Sequence, residues 1–314
     1  HLCDRRQRQM CIRDRYMNHI IELEHVTKDY GNGKGVFDVS FSVKEGEVFG
    51  YLGPNGAGKS TTIRQLMGFI HPQAGRCQIF EKDCFAQASG IQSKIGYLAG
   101  ELAFMEDMTG RKFLKFMADM KGIRDLSRME ELIQRFELNP QGKIRKMSKG
   151  MKQKVGLVCA FMGNPKAVIL DEPTSGLDPL MQNRFVELIL EEKKKGTTIL
   201  MSSHIFEEVE KTCDRTAIIR EGRIVAVEDM QSLSKKRKKV YTVTLPDLET
   251  AERLERESGL NMIGRTGNRV QLLVKSQVPE TLEKLAKYQP VDLDIKTQSL
   301  EELFMHFYGE EEKI

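Results

Sequence analysis

Gly53-Pro54-Asn55-Gly56-Ala57-Gly58-Lys59-Ser60-Thr61 decides the fold class of this chain, because its spacing, G-x-x-x-x-G-K-[ST], is that of a backbone loop cradling phosphate. The flanks supply the context that such a loop requires. Glu47-Val48-Phe49-Gly50-Tyr51-Leu52 predicts a short apolar strand, and residues 60–69 predict a helix burying Ile63, Leu66 and Met67 on one face. Glycines let successive N–H groups turn inward around an anion, and the start of the helix adds partial positive charge. Lys59 is then placed to reach the β- and γ-phosphates of a nucleotide, and the Ser60 hydroxyl to ligate Mg²⁺. Which nucleotide is held, and to what end, depends on the remainder of the chain.

A chain of 314 residues has room for one large α/β domain and a smaller second one. The formal charge is +4, but residues 1–16 hold five Arg (5, 6, 8, 13, 15) against two Asp (4, 14). The remainder is close to neutral, so composition makes no case for a nucleic-acid partner. Residues 1–16 show neither apolar periodicity nor the apolar core of a signal peptide. One codon choice for residues 10–15 matches a sequencing-library transposon end. The head is therefore expected to be non-native or a disordered arm, with the native start at Met17. The six cysteines (3, 11, 77, 84, 159, 213) show no C-x-x-C pairing and no histidine at metal-ligand spacing, which predicts reduced thiols. No apolar run is long enough for a membrane span, so a membrane role needs a partner.

Apolar–polar alternation predicts antiparallel strands at 20–29 and 36–44 across the turn-rich residues 30–35. Strands follow at 75–80 and 95–98, then helices at 109–121 and 127–137. From residue 167 strand and helix alternate: strand 167–170, helix 179–195, strand 197–202, helix 205–213, strand 216–220. That pattern argues for a layered α/β fold. Lys235-Lys236-Arg237-Lys238-Lys239 marks a boundary, expected as a basic linker with a solvated face or a membrane-surface contact. Residues 240–314 read as a small α+β domain, with strands at 240–244, 270–274 and 293–296 and helices at 249–257 and 280–287.

Leu170-Asp171-Glu172-Pro173 follows the apolar strand directly. Asp171, at the carboxyl end of a buried central strand, suits Mg²⁺. Glu172, on the other face by strand alternation, is expected to orient and deprotonate an attacking water. A helix-capping turn is the structural alternative. His204 opens a helix one βα unit later, on the same rim, either as a structural residue or bonded to a γ-phosphate or the attacking water. Ser148 starts an apolar-faced helix running to about Met162. With Gly150 it makes a second anion site, or simply a well-capped basic helix.

Together these motifs resemble the ATP-binding subunit of ABC transporters over nearly all of residues 20–230. Residues 53–61 match its Walker A motif and residues 168–172 its Walker B with the following glutamate. Ser175-Gly176-Leu177-Asp178 matches the D-loop, and His204 the switch histidine. Met147-Ser148-Lys149-Gly150-Met151 stands where the family carries LSGGQ, and Tyr30 matches the aromatic residue that stacks on adenine. The resemblance implies an α/β P-loop NTPase core of ABC type at 17–234. That core combines a mixed sheet, an antiparallel β subdomain and a helical subdomain at about 100–162, with the small α+β domain at 240–314 following.

It also implies an ATPase with ATP and Mg²⁺. Nucleotide contacts would come from Tyr30, Gly53, Pro54, Asn55, Gly56, Ala57, Gly58, Lys59, Ser60, Thr61 and Asp178. Ser60 and Asp171 would hold the metal, and Glu172, His204 and Lys59 would carry catalysis. Ser148 and Gly150 would touch the γ-phosphate bound to a facing subunit, either an identical copy or a paralogue. A separate membrane permease, gripped through residues 100–122, would place the protein at the cytoplasmic face of the membrane. Lys149 and Met151 depart from LSGGQ in a way that resembles the exporter subgroup for drugs, lipids or polysaccharides. Gly100 stands where the family has a glutamine, and Glu101 would substitute for it through a water at the metal. The competing class is a non-transport ABC ATPase of translation or DNA maintenance. Such proteins carry two cassettes, or a long coiled coil where this chain has only about ninety residues without heptads between Lys59 and Ser148.

Overall fold

The computed structural model describes residues 18–236, 239–274 and 278–299. The expected head at 1–16, Arg237 and Lys238 of the basic run, and the last part of the expected second domain lie outside them. The chain divides into two units, the first ending at Met230 and the second starting at Gln231.

The first unit opens with β1 (His19–Asp29) and β2 (Gly35–Lys44), paired antiparallel across the turn that holds Tyr30. Their alternation buries Ile21, Leu23, Val39, Phe41 and Val43, the pattern expected of a sheet with one wet face. β3 (Val48–Leu52) leads into the phosphate loop and α1 (Lys59–Leu66). β4 (Ala74–Ile79) and β5 (Lys82–Asp83) join the first sheet, in the order β2-β1-β4-β5. A short α2 (Ala88–Gln92) precedes β6 (Ile95–Leu98). Three helices follow: α3 (Gly110–Met120), α4 (Ser127–Arg135) and α5 (Lys149–Phe161). Then come β7 (Ala167–Asp171), α6 (Pro179–Lys194), β8 (Thr198–Ser203), α7 (Phe206–Thr212), β9 (Arg215–Arg220) and β10 (Arg223–Asp229), and α8 (Met230–Lys236) starts at the last residue of this unit and continues into the second.

The second sheet runs β10-β9-β3-β8-β7-β6. Its members pair parallel except for the β9–β10 hairpin, so the sheet is mixed. β3, β7 and β8 are buried along their whole length, as strands covered on both faces must be. Leu52 lies opposite Ser203 and Asp171 opposite Ser202, which brings the carboxyl ends of three strands to one rim. In open parallel sheets, ligands bind at that rim.

The helical stretch is fastened to α6 by charge. Arg128 lies 2.6 Å from Glu192, Arg135 2.7 Å from Glu191, and Arg184 3.0 Å from Glu137. Arg128 and Glu192 are both buried, and Glu192 also accepts bonds from Lys195 and Thr197. Removing one member of a buried pair strands the other charge. Arg128→Met is therefore expected to lower the unfolding free energy by about 3 kcal/mol, read from urea denaturation. An unchanged midpoint would show that the pair contributes nothing.

The second unit is β11 (Lys239–Thr244), α9 (Leu248–Glu257), β12 (Met262–Thr266), β13 (Arg269–Val274), α10 (Val278–Ala286) and β14 (Asp292–Thr297). Its antiparallel sheet has the order β12-β13-β11-β14, the split β-α-β arrangement. It has its own core, with Tyr241, Val243, Leu254, Val270, Leu272 and Leu285 buried together.

Candidate nucleotide site

The phosphate loop leaves β3 at Gly53 and enters α1 through Gly58, whose φ of 109° lies in the left-handed region. A side chain at Gly58 would strain the backbone, and its Cβ would stand 2.7 Å from a Val36 methyl. The helix is tied to its strand by the buried contact of Tyr51 Oη with Thr62 Oγ1, 3.1 Å. Lys59 is almost wholly buried and its Nζ donates to the carbonyls of Gly53 (2.7 Å) and Pro54 (3.1 Å). Ala57 closes the loop by donating to the Pro54 carbonyl, and its own carbonyl accepts from Gly222.

Two cavities meet at this loop. One, of about 420 Å³, is lined by Tyr30, Gly35, Asn55, Gly56, Gly58, Lys59, Ser60, Thr61, Glu172 and Glu221. Tyr30 is half exposed, with Lys28 Nζ 5.9 Å from its ring centroid. The other, of about 460 Å³, is lined by Asn55, Ser60, Arg64, Gly100, Glu101, Asp171 and Glu172 among others. Ser60 and Asp171 thus share a cavity of hard oxygen donors. That is the donor set for Mg²⁺ when substrate phosphates and water complete the shell. Among the described residues no group of three His, Cys, Asp or Glu side chains could hold a metal alone. The residues present fit a metal held jointly with a nucleotide.

Asp171 ends β7, buried, with its Oδ1 accepting from Ser202 Oγ at 2.6 Å. Gly100 comes close beside it, since a Cβ at that position would lie 2.9 Å from Asp171 Oδ2. Glu101 is exposed, with an Oε2 3.8 Å from Arg64. Glu172 reaches the site by a route other than strand alternation. The strand has already ended, and Glu172 adopts a left-handed φ of 49°, which costs a non-glycine residue about 1–2 kcal/mol. Its Oε1 then lies 3.4 Å from Lys59 Nζ and 3.6 Å from His204 Nδ1. Loop, acid and histidine therefore converge on one rim.

Ser148 caps α5 by accepting from the Met151 N–H, 3.2 Å. A Cβ at Gly150 would stand 2.5 Å from the Gly176 carbonyl, so the start of this helix packs directly on the turn at 175–178. Asp178 caps α6, accepting from the Met181 N–H at 3.0 Å. Neither Ser148 nor Gly150 nor Asp178 lines either cavity at the phosphate loop.

Residues 36–175 match the family model for the ABC transporter. The bacitracin transport ATP-binding protein BcrA of Bacillus licheniformis is 36% identical over 238 residues, covering 75% of this chain and 78% of its own length. This chain belongs to the ATP-binding proteins of ABC transporters. The daunorubicin resistance ATP-binding protein DrrA3 of Streptomyces coeruleorubidus is 28% identical, and that match covers 94% of this ABC protein and 97% of DrrA3. A solved ATP binding subunit of an ABC transporter superposes with a TM-score of 0.62 at 32% identity, over 69% of this chain and 92% of that one. The core is thus an ABC-type ATPase domain in which α/β architecture, mixed sheet and antiparallel subdomain all appear as expected. No helix among the described residues is long and apolar enough to cross a membrane.

Three polar residues of this ABC domain escaped the sequence reading. Gln153 is buried in α5 and donates to the carbonyls of Glu172 (3.1 Å) and Pro173 (2.8 Å). Ser202, wholly buried, accepts from the Glu172 N–H at 3.0 Å. Glu208 of α7 is buried, accepting from Thr174 and from Ser203, the latter at 2.9 Å. Burial pushes its carboxyl above the usual carboxylate range, against the pull of those two bonds. A signal existed only for Gln153, which shares a helical face with the apolar Leu157 and Ala160 and so had to be a buried amide with partners.

Proposed function

We propose that this ABC protein binds and hydrolyses MgATP at composite sites between two ATP-binding subunits, and that the cycle drives a separate membrane permease to export its substrate. One observation carries the proposal. The chain has a phosphate loop beside an acid pair and, on another surface, a capped helix start suited to an anion that does not line those cavities. Each half needs a complement from a second chain.

In this site Tyr30 stacks on adenine, and the amides of residues 53–61 with Lys59 take the phosphates. Ser60 and Asp171, with Glu101 through a water, would hold Mg²⁺, which when bound would neutralise phosphate charge. Glu172 accepts the proton of the attacking water, and His204, within reach of the same carboxylate, orients it toward the γ-phosphate. Ser148 and Gly150 of the facing subunit close on that phosphate, with Asp178 at the seam. Closing over ATP and parting after hydrolysis would shift the permease between its two orientations. Bacitracin transport and daunorubicin resistance, the roles that BcrA and DrrA3 are named for, support a drug-type cargo.

A mixing experiment tests the composite site. Ser148→Asp keeps a good N-cap yet sets a negative charge against the partner's phosphate. It should silence the protein, as should Lys59→Ala. Mixed together, the two variants form one site from an intact loop and an intact helix start. ATPase activity is expected to return in part, because the second site of each mixed pair stays broken; two silent variants that stay silent at every ratio would exclude a shared site.

A further inference from the structure

We propose that Gln153 is a positioning residue that couples the seating of the α5 N-terminus on one ATP to the placement of Glu172 at the chain's own ATP. The inference rests on the composite-site proposal above. Glu172 sits in a left-handed turn that its own backbone disfavours. Something must hold it there, and every backbone polar group of the residue is held. Its N–H donates to Ser202 Oγ, and its carbonyl accepts from Gln153 Nε2 and from the Ser175 N–H at 3.2 Å. Ser202 comes from the neighbouring strand and cannot shift without the sheet. Ser175 belongs to the same turn. Gln153 alone comes from an element whose other end is offered to a partner.

The two ends are close. Ser148 and Gln153 stand five residues apart on one helix, about 7 Å along its axis. The helix is stiff, and Gln153 is buried with both donors engaged on successive carbonyls. A small displacement of the helix start when it closes on a γ-phosphate therefore reaches the Glu172 carbonyl through one side chain. Gly150, packed on the Gly176 carbonyl, holds the start of the same helix to the far end of the same turn. The loop 172–176 is thus gripped twice by α5. Occupancy of one site would set the carboxylate of the other, so the two sites would fire together.

Gln153→Met tests this, because it keeps length and volume while deleting both donors. We expect kcat to fall about tenfold, the melting temperature to stay near that of the parent, and the affinity for a non-hydrolysable ATP analogue to change less than about twofold. The Hill coefficient for ATP should fall to one. Parental kcat and cooperativity, or a kcat loss matched by an equal loss of analogue affinity, would overturn the proposal. Should the Met variant fail to fold, Gln153→Lys decides, since its ammonium can still donate to both carbonyls. Retained cooperativity supports the coupling, and loss of it in a folded protein refutes it. Glu172→Gln run alongside separates the two levels. If that variant hydrolyses ATP, the assignment of the base has failed; if it is inert while Gln153→Met behaves as the parent, only the coupling has.

Discussion

Glu172→Gln is expected to bind ATP with near-parental affinity and to turn it over about 10²- to 10⁴-fold more slowly, the usual contribution of a positioned base. The amide keeps the shape of the side chain but cannot take a proton from water. It also removes a negative charge that lies 3.4 Å from Lys59 and 3.6 Å from His204. With that charge gone from the neighbourhood of the γ-phosphate, the closed pair of subunits should outlast its normal lifetime. Size-exclusion chromatography with ATP should show a species of twice the mass for this variant. Parental hydrolysis would remove Glu172 from the role of base, whatever the behaviour on the column.

Lys59→Ala should have a comparably large effect by another route. The ammonium is nearly enclosed and already bonded to two carbonyls of its own loop. A phosphate there would exchange those neutral partners for a charged one, and such bonds contribute about 1.5–3 kcal/mol each. Affinity for MgATP, measured by calorimetry, should therefore weaken by at least about tenfold, with turnover falling further because the same cation faces the transferring group. Glu172 would also lose the cation 3.4 Å from its carboxylate, leaving His204 Nδ1 at 3.6 Å. Unchanged affinity and rate would contradict the whole site.

The difference between what could and could not be read from residues has a physical basis. Lys59 and Asp171 were legible as residues of the rim because phosphate and metal chemistry admits few residue types at few spacings, whereas His204, open to a structural reading by itself, was placed there by its position one βα unit after the acid pair. Glu172 was legible as a residue of the rim but not in conformation. Alternation along a strand predicted its direction, whereas the strand stops one residue earlier and a left-handed φ turns the side chain inward. Ser202 and Glu208 were invisible, since each acquires meaning only by facing a loop thirty or so residues away in sequence. Among the elements, β10 was missed because it is an edge strand with Val225 and Val227 facing out, so its apolar residues do not mark the core. β12 was missed because Gly264 and a register shift interrupt its alternation.

The neighbours of β3 carry a last consequence, for the birth of the protein rather than its work. The strand that presents the phosphate loop is complete at residue 52, yet both its partners, β8 and β9, lie beyond residue 197. β1 and β2 can pair as a hairpin as soon as they emerge from the ribosome, and helices α3 to α5 can coil locally. The loop strand has no place to settle until most of the first unit has been translated. Through that interval its apolar Val48, Phe49, Tyr51 and Leu52 lack their sheet partners, which makes this stretch the natural target of a chaperone on the nascent chain. A truncation ending before residue 198 should accordingly aggregate rather than bind nucleotide weakly.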